Sequence, residues 1–144
     1  YEHKVFYIQE FVDKPGRDVR ALAVDGEPIA AMTRTSDHWL TNAAKGGETK
    51  SFDLDDRALE LVERASDAVG GGLLGVDLME VGVDADSGPA EGGADGYTVH
   101  EVNHTVEFKA LDAATDVDVP ATVVDWLEEK AVELADAEAE EADA

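Results

Sequence analysis

The polar–apolar alternation running through residues 97–108, YTVHEVNHTVEF, constrains the fold of this chain more than any other feature, because a period of two marks an extended strand. The same stretch spells His100-Glu101-Val102-Asn103-His104, the letters of the zinc signature H-E-x-x-H. That motif works only on a helix, where positions i and i+4 bring two imidazoles onto one ion. In a strand the two histidines stand about 13 Å apart and cannot share a metal. The longer form of the zinc motif also fails, since Glu107 and Ala110 occupy the places of its Gly and its third His.

The strand reading redirects attention to the letters between the histidines. Period two puts Glu101 and Asn103 on one face, about 7 Å apart along the backbone. Asp77, in the middle of the apolar run LLGVDLMEV (73–81), is a carboxylate in a place that needs a reason, and it can complete an oxygen-ligand set. Hard oxygen donors suit Mg²⁺, and a carboxylate bridging two ions is a common arrangement for phosphoryl chemistry. The alternative is that Asp77 and Glu101 are ordinary outward-facing residues of half-exposed strands.

Three other patterns carry less. Gly70-x-Gly72-x-x-Gly75 has the dinucleotide-binding spacing but follows a helix and enters a strand, the reverse of what that fingerprint requires, so it reads as a helix C-cap. Asp84-x-Asp86-x-Gly88 resembles a calcium loop, but its glycine and closing residue are misplaced, and a solvated hairpin insertion explains it better. In the polar segment from Thr35 to Ser51, read as a long loop, Asn42, Lys45 and Gly46-Gly47 can present donors to an anion.

Around these sites the elements follow from pattern. Residues 4–12 and 18–24 are rich in β-formers, and Asp25-Gly26 is a hairpin turn leading into PIAAMTR. Asp55 is placed to N-cap a helix whose Ala58, Leu61, Val62, Ala65 and Val69 form one apolar face, ended by Gly70-Gly71-Gly72. Residues 73–81 and 97–103 read as paired strands. A last helix starts near Pro120, is expected to bury Val123, Val124, Leu127, Ala131 and Leu134, and should fray into the acidic run AEAEEADA.

Charge decides which partners are excluded. The 144 residues carry 34 Asp and Glu against 11 Lys and Arg, a net charge of −23, yet 44% are hydrophobic, so this is a folding chain of single-domain size with an anionic surface. Nucleic acid phosphates and anionic membranes are repelled by such a surface. Acidic residues spread through every segment suit a salt-rich cytoplasm, where about 1 M salt shortens the Debye length to roughly 3 Å. The absence of cysteine suits a reducing cytosol, and no apolar run is long enough to cross a membrane. The first residues already read as strand and lack a starting Met, which suits a piece of a longer chain.

Taken in order, QEFV, GRDVR, AAMTR, WLTNAAKGG, GGGLLGVDL, EVNHTVEFK and DVDVPATVVDW resemble the ATP-grasp carboxylate–amine ligases of the RimK-like superfamily, over residues 4 to about 128. Within these the chain is most similar to the LysX and ArgX type, which attach an amino acid through its α-amino group to the C-terminal glutamate of a small acidic carrier protein, LysW. The resemblance implies an α+β fold, the C-terminal ATP-grasp lobe, mostly antiparallel with two main helices. Residues 1–12 would end the preceding lobe, 13–135 would form this lobe and 136–144 an acidic tail. It implies ATP and two Mg²⁺ ions as cofactors, with Asp77, Glu101 and Asn103 as metal ligands. Glu10, Phe11 and Val12 would hold adenine, with Asp18 and Asn42 near the nucleotide. Arg20 and Arg34 would face the phosphates, and Lys45, Gly46, Gly47, His104 and Thr105 the substrates. Ala43 and Lys45 depart from the family's usual Thr and Arg. Ala110-Leu111 after EFK is closer to the Gly-Phe of ArgX-like members, which favours glutamate over α-aminoadipate as the amine. A RimK-type ligase acting on a protein C-terminus and a non-catalytic nucleotide-binding remnant are the alternatives, and a homo-oligomer is compatible with each.

Overall fold

The computed structural model describes residues 8–35, 48–82 and 96–142. Strand β1 (Arg17–Val24) turns through Asp25 and Gly26 into β2 (Glu27–Thr35), and both turn residues have positive φ, +47° and +90°, as a two-residue hairpin of matching twist requires. The pairing slips once beside Leu22, where Ile29 is the extra residue, so Ile29 and Ala30 both pack toward the same core. Strand β3 (Glu48–Ser51) lies on the outer side of β2. Helix α1 (Asp56–Val69) then crosses the sheet to β4 (Leu73–Val81), which pairs with β1 and with β5 (Gly96–Asn103). The order is β3-β2-β1-β4-β5, antiparallel throughout.

Alternation along these strands feeds two cores. Val19, Ala21, Leu74, Val76 and Leu78 face α1, meeting Ala58 and Val62. On the other face Leu22 and Met32 are covered by α2 (Lys109–Ala114) and by the start of α3 (Val119–Ala142), through Leu111, Val119 and Val123. Helix α1 begins as its sequence dictates: the Asp55 carboxylate accepts from the Ala58 N–H at 2.9 Å, and left-handed Gly70 closes the other end. The three successive positive-φ glycines, Gly70 to Gly72, are therefore a helix-to-strand connection and not a phosphate loop.

Several expectations are corrected. Residues 8–12 form no strand, with Ile8 and Phe11 largely exposed and lacking the ladder partner that β-propensity alone cannot supply. The presumed loop ending at Ser51 closes in β3, because Thr49 and Lys50 find backbone partners on β2. The two main helices expected are α1 and α3, and the six-residue α2 is a short piece beside them. The acidic tail continues α3 as far as Ala142, and Val124, Leu127, Ala131 and Leu134 are exposed, because only the first turns of α3 meet the sheet. No described helix is long and apolar enough to cross a membrane.

Candidate functional site

The second sheet face is apolar only where α2 and α3 cover it. Beyond Leu22 and Met32 the same alternation delivers Arg20 and Asp18 on β1, Arg34 on β2, and Gly75 and Asp77 on β4. Asp77 stands opposite Arg20 on one side and Glu101 on the other, and Asn103 stands opposite Gly75. Residues paired across strands share a face, so the six candidate side chains lie on that one face. The ladder between β4 and β5 slips beside Asp77, and His100 is the extra residue that restores Glu101 to that face.

Charge is matched within this cluster. Arg20 grips Asp77 bidentately, Nε to Oδ1 and Nη2 to Oδ2, both at 2.7 Å. Arg34 donates from Nε to Asp18 Oδ1 at 2.6 Å and places Nη2 3.1 Å from Asp77 Oδ1. Asp18, Arg34 and Asp77 are only 5%, 7% and 3% exposed, so these pairs act with little water between them. Burial, the largest single influence on Arg34, pulls its pKa down, but the Asp18 hydrogen bond and the Asp77 charge outweigh it and raise the guanidinium above its ordinary value. Gly75 lies between Val106 and Arg20, where a Cβ would meet the Val106 side chain at 3.6 Å and the Arg20 Cζ at 3.9 Å, both ordinary contacts.

Asp77, Glu101 and Asn103 together offer carboxylate and amide oxygens from two adjacent strands, the donor chemistry that Mg²⁺ takes. The Asn103 Nδ2 atom is buried with no hydrogen-bond partner among the described residues, so the fold leaves this N–H donor unspent. Among the described residues no three His, Asp or Glu side chains cluster as a metal site, and the H-E-x-x-H letters lie on and just past strand β5 rather than on a helix. Nδ1 of His100 instead meets the side-chain amide of Gln9 at 3.0 Å, which brings the Glu10-Phe11-Val12 segment beside β5. Glu10 and Phe11 are exposed and Val12 half-buried, while His104 and Thr105 are exposed just past β5. Asn42, Lys45, Gly46 and Gly47, like the Asp84 motif, lie outside the described residues.

The reverse face holds charges that sequence reasoning passed over. Arg17 grips Glu80 through Nε at 2.5 Å and Nη2 at 3.0 Å, with the glutamate fully buried. Nearby, Tyr97 donates to Asp55 at 3.3 Å, and Lys14 donates to the Arg17 carbonyl at 2.9 Å. Desolvation first, then the charges of Asp55 and Glu80, push the Tyr97 phenol up to about 12. Desolvation likewise lowers Lys14, against the pull of Asp18. The missed signal was parity: Glu80 shares the face of Leu74, Val76 and Leu78, a core position filled by a carboxylate.

Comparison with known proteins supplies the context for this arrangement. The chain is 35% identical over 126 residues to the tetrahydromethanopterin:alpha-L-glutamate ligase of Methanococcus maripaludis, covering 85% of this chain and 39% of that protein. It is 36% identical to the alpha-aminoadipate–LysW ligase LysX of Saccharolobus solfataricus, over 73% of this chain and 34% of the relative. It is 29% identical to the glutamate–LysW ligase ArgX of Sulfurisphaera tokodaii, over 88% and 42%. The chain thus spans between about a third and two-fifths of the length of the curated relatives it matches. Its fold matches the ATP-grasp ligase PsnB, solved with minimal precursor, Mg and ADP, at a TM-score of 0.60 and 22% identity, over 84% of this chain and 34% of PsnB. Residues 2–127 match the RimK-like ATP-grasp domain, and the chain belongs to that family.

Proposed function

We propose that the protein containing this domain is an ATP-dependent carboxylate–amine ligase that joins the α-amino group of glutamate to a carboxylate activated as an acyl phosphate. The observation that carries this reading is the convergence of Arg20, Arg34, Asp77, Glu101 and Asn103 on one sheet face. Two guanidinium groups beside an oxygen-ligand set are what transfer of the γ-phosphoryl group to a carboxylate demands, since such a reaction is catalysed by alignment and charge neutralisation. Asp77, Glu101 and Asn103 would hold magnesium, in our reading two ions, whose positive charge would neutralise the phosphates. Arg34, oriented by Asp18, and Arg20 face the transferring phosphoryl group and the acyl phosphate. Glu10, Phe11 and Val12 line the adenine, with Asn42 near the nucleotide. Lys45, Gly46, Gly47, His104 and Thr105 border the substrates. The amine attacks the acyl carbon, phosphate leaves, and no covalent enzyme intermediate is required.

The carboxylate we assign is the C-terminal glutamate of a small LysW-type carrier protein, in arginine synthesis, with α-aminoadipate and lysine synthesis as the variant. A second reading is favoured by the 35% identity to a tetrahydromethanopterin:alpha-L-glutamate ligase, which keeps glutamate as the amine and changes only the acceptor. ATP-dependent phosphate release by the full-length protein decides between them. Glutamate with a carrier ending in Glu should release phosphate, whereas release only with tetrahydromethanopterin selects the second reading. Release with neither acceptor, whether glutamate or α-aminoadipate is supplied, contradicts both.

A further inference from the structure

The buried Arg17–Glu80 pair lies on the face of the sheet opposite the candidate site, and the chemistry proposed above makes no use of it. Its side chains are 8% and 1% exposed. Burying two charges is costly, and a pair of well-packed apolar residues at such a place is often as stable or more so, so packing alone does not account for it. Position does. The recorded β1–β4 ladder ends at Val19 opposite Leu78, and Arg17 and Glu80 continue the same register two residues further. Arg17 directly precedes Asp18, and Glu80 follows Asp77 by three residues on the same strand. The clamp therefore closes the sheet immediately behind the two carboxylates that hold Arg34 on the front. A slip of one residue in this pairing would turn Asp18 or Asp77 to the wrong face.

Other groups reinforce the clamp. Tyr97 pairs directly opposite Glu80 on β5, and its hydroxyl is spent on Asp55, while Lys14 ties the Arg17 carbonyl. These contacts bring the N-cap of α1 and the segment before β1 against the same end of the strands.

We propose that Arg17 and Glu80 are positioning residues, a back-face clamp that holds β1 and β4 in the register that assembles Asp18, Arg34 and Asp77 for cation and phosphate binding. Its functional consequence rests on the ligase reading. The test uses the full-length protein in two forms, Glu80→Gln and the double variant Arg17→Met/Glu80→Met, the second because apolar replacement of both partners is expected to preserve folding. Circular dichroism melts establish that each is folded, and Mn²⁺ affinity with ADP present is read by electron paramagnetic resonance. Residues that orient metal ligands are worth roughly ten- to a hundredfold in metal affinity, so both variants should bind Mn²⁺ at least about tenfold more weakly, with the KM for metal raised more than kcat is lowered. A folded double variant whose Mn²⁺ affinity lies within about twofold of wild type overturns the clamp, whatever its melting temperature. Wild-type protein that binds no Mn²⁺ overturns the ligase reading itself, so the two failures are distinguishable.

Discussion

The carboxylate of Asp77 receives three guanidinium contacts, two from Arg20 and one from Arg34, and it is also the central member of the proposed cation-binding trio. Arg20 and a cation therefore compete for the same oxygens. Removing the guanidinium while keeping a shorter, uncharged polar side chain should release Asp77, so Arg20→Gln is expected to tighten Mn²⁺ binding by about tenfold, ~1.4 kcal/mol, while ligation slows. Titration calorimetry on the full-length variant checks this, and unchanged or weaker Mn²⁺ binding would mean that Arg20 and the cation share Asp77 without rivalry. At this scale the site was half legible in the sequence. Glu101 and Asn103 follow from strand period, and Asp77 from its place in an apolar run. The Arg20 and Arg34 contacts to Asp77 depend on which strands become neighbours, which no local pattern states. Glu80 is legible as a charged residue at the parity of Leu74, Val76 and Leu78, whereas its partner Arg17 follows only from the pairing of β1 with β4.

Among the elements, α1 and β4 are the parts the sequence specifies most completely, because each carries its own boundary chemistry: an aspartate cap, a glycine stop, then a largely apolar strand interrupted by Asp77 and Glu80. Asp55 does double work there, capping α1 and accepting from Tyr97 of β5. Replacing it by alanine should lower stability by about 1–2 kcal/mol in a urea titration, and a loss below ~0.5 kcal/mol would show that the cap is dispensable. Helix α3 teaches the opposite lesson. Its apolar residues recur at helical spacing, yet beyond Val123 the positions expected to be buried are open in the described residues. Periodicity identifies a face, not what covers it. Beyond the buried Val119 and Val123, what ties α3 down is polar: Trp126 Nε1 and Lys130 Nζ reach the Asp25 carboxylate of the β1–β2 turn at 3.0 and 3.1 Å, a tertiary contact without a sequence signature. Those hydrogen bonds, Trp126 foremost and the Gly72 N–H next, hold the Asp25 carboxyl below its usual range.

For the whole molecule, the fold buries Arg17, Arg20 and Arg34 against Glu80, Asp77 and Asp18, one charge against one, so the net charge of −23 stays on the remaining, more exposed residues. Screening should therefore matter unusually. The melting temperature is expected to rise steeply between dilute buffer and roughly 1 M KCl, where the Debye length falls to about 3 Å, and equal values at both would refute an adaptation to salt. The central claim, that this face of the sheet holds the cation for phosphoryl transfer, is tested most directly by ATP-dependent phosphate release from full-length Glu101→Ala at saturating substrates. Glu101 is exposed beside buried Asp77, so the substitution spares the core. The account predicts a loss of about a hundredfold or more relative to wild type, whereas activity within about tenfold would contradict it.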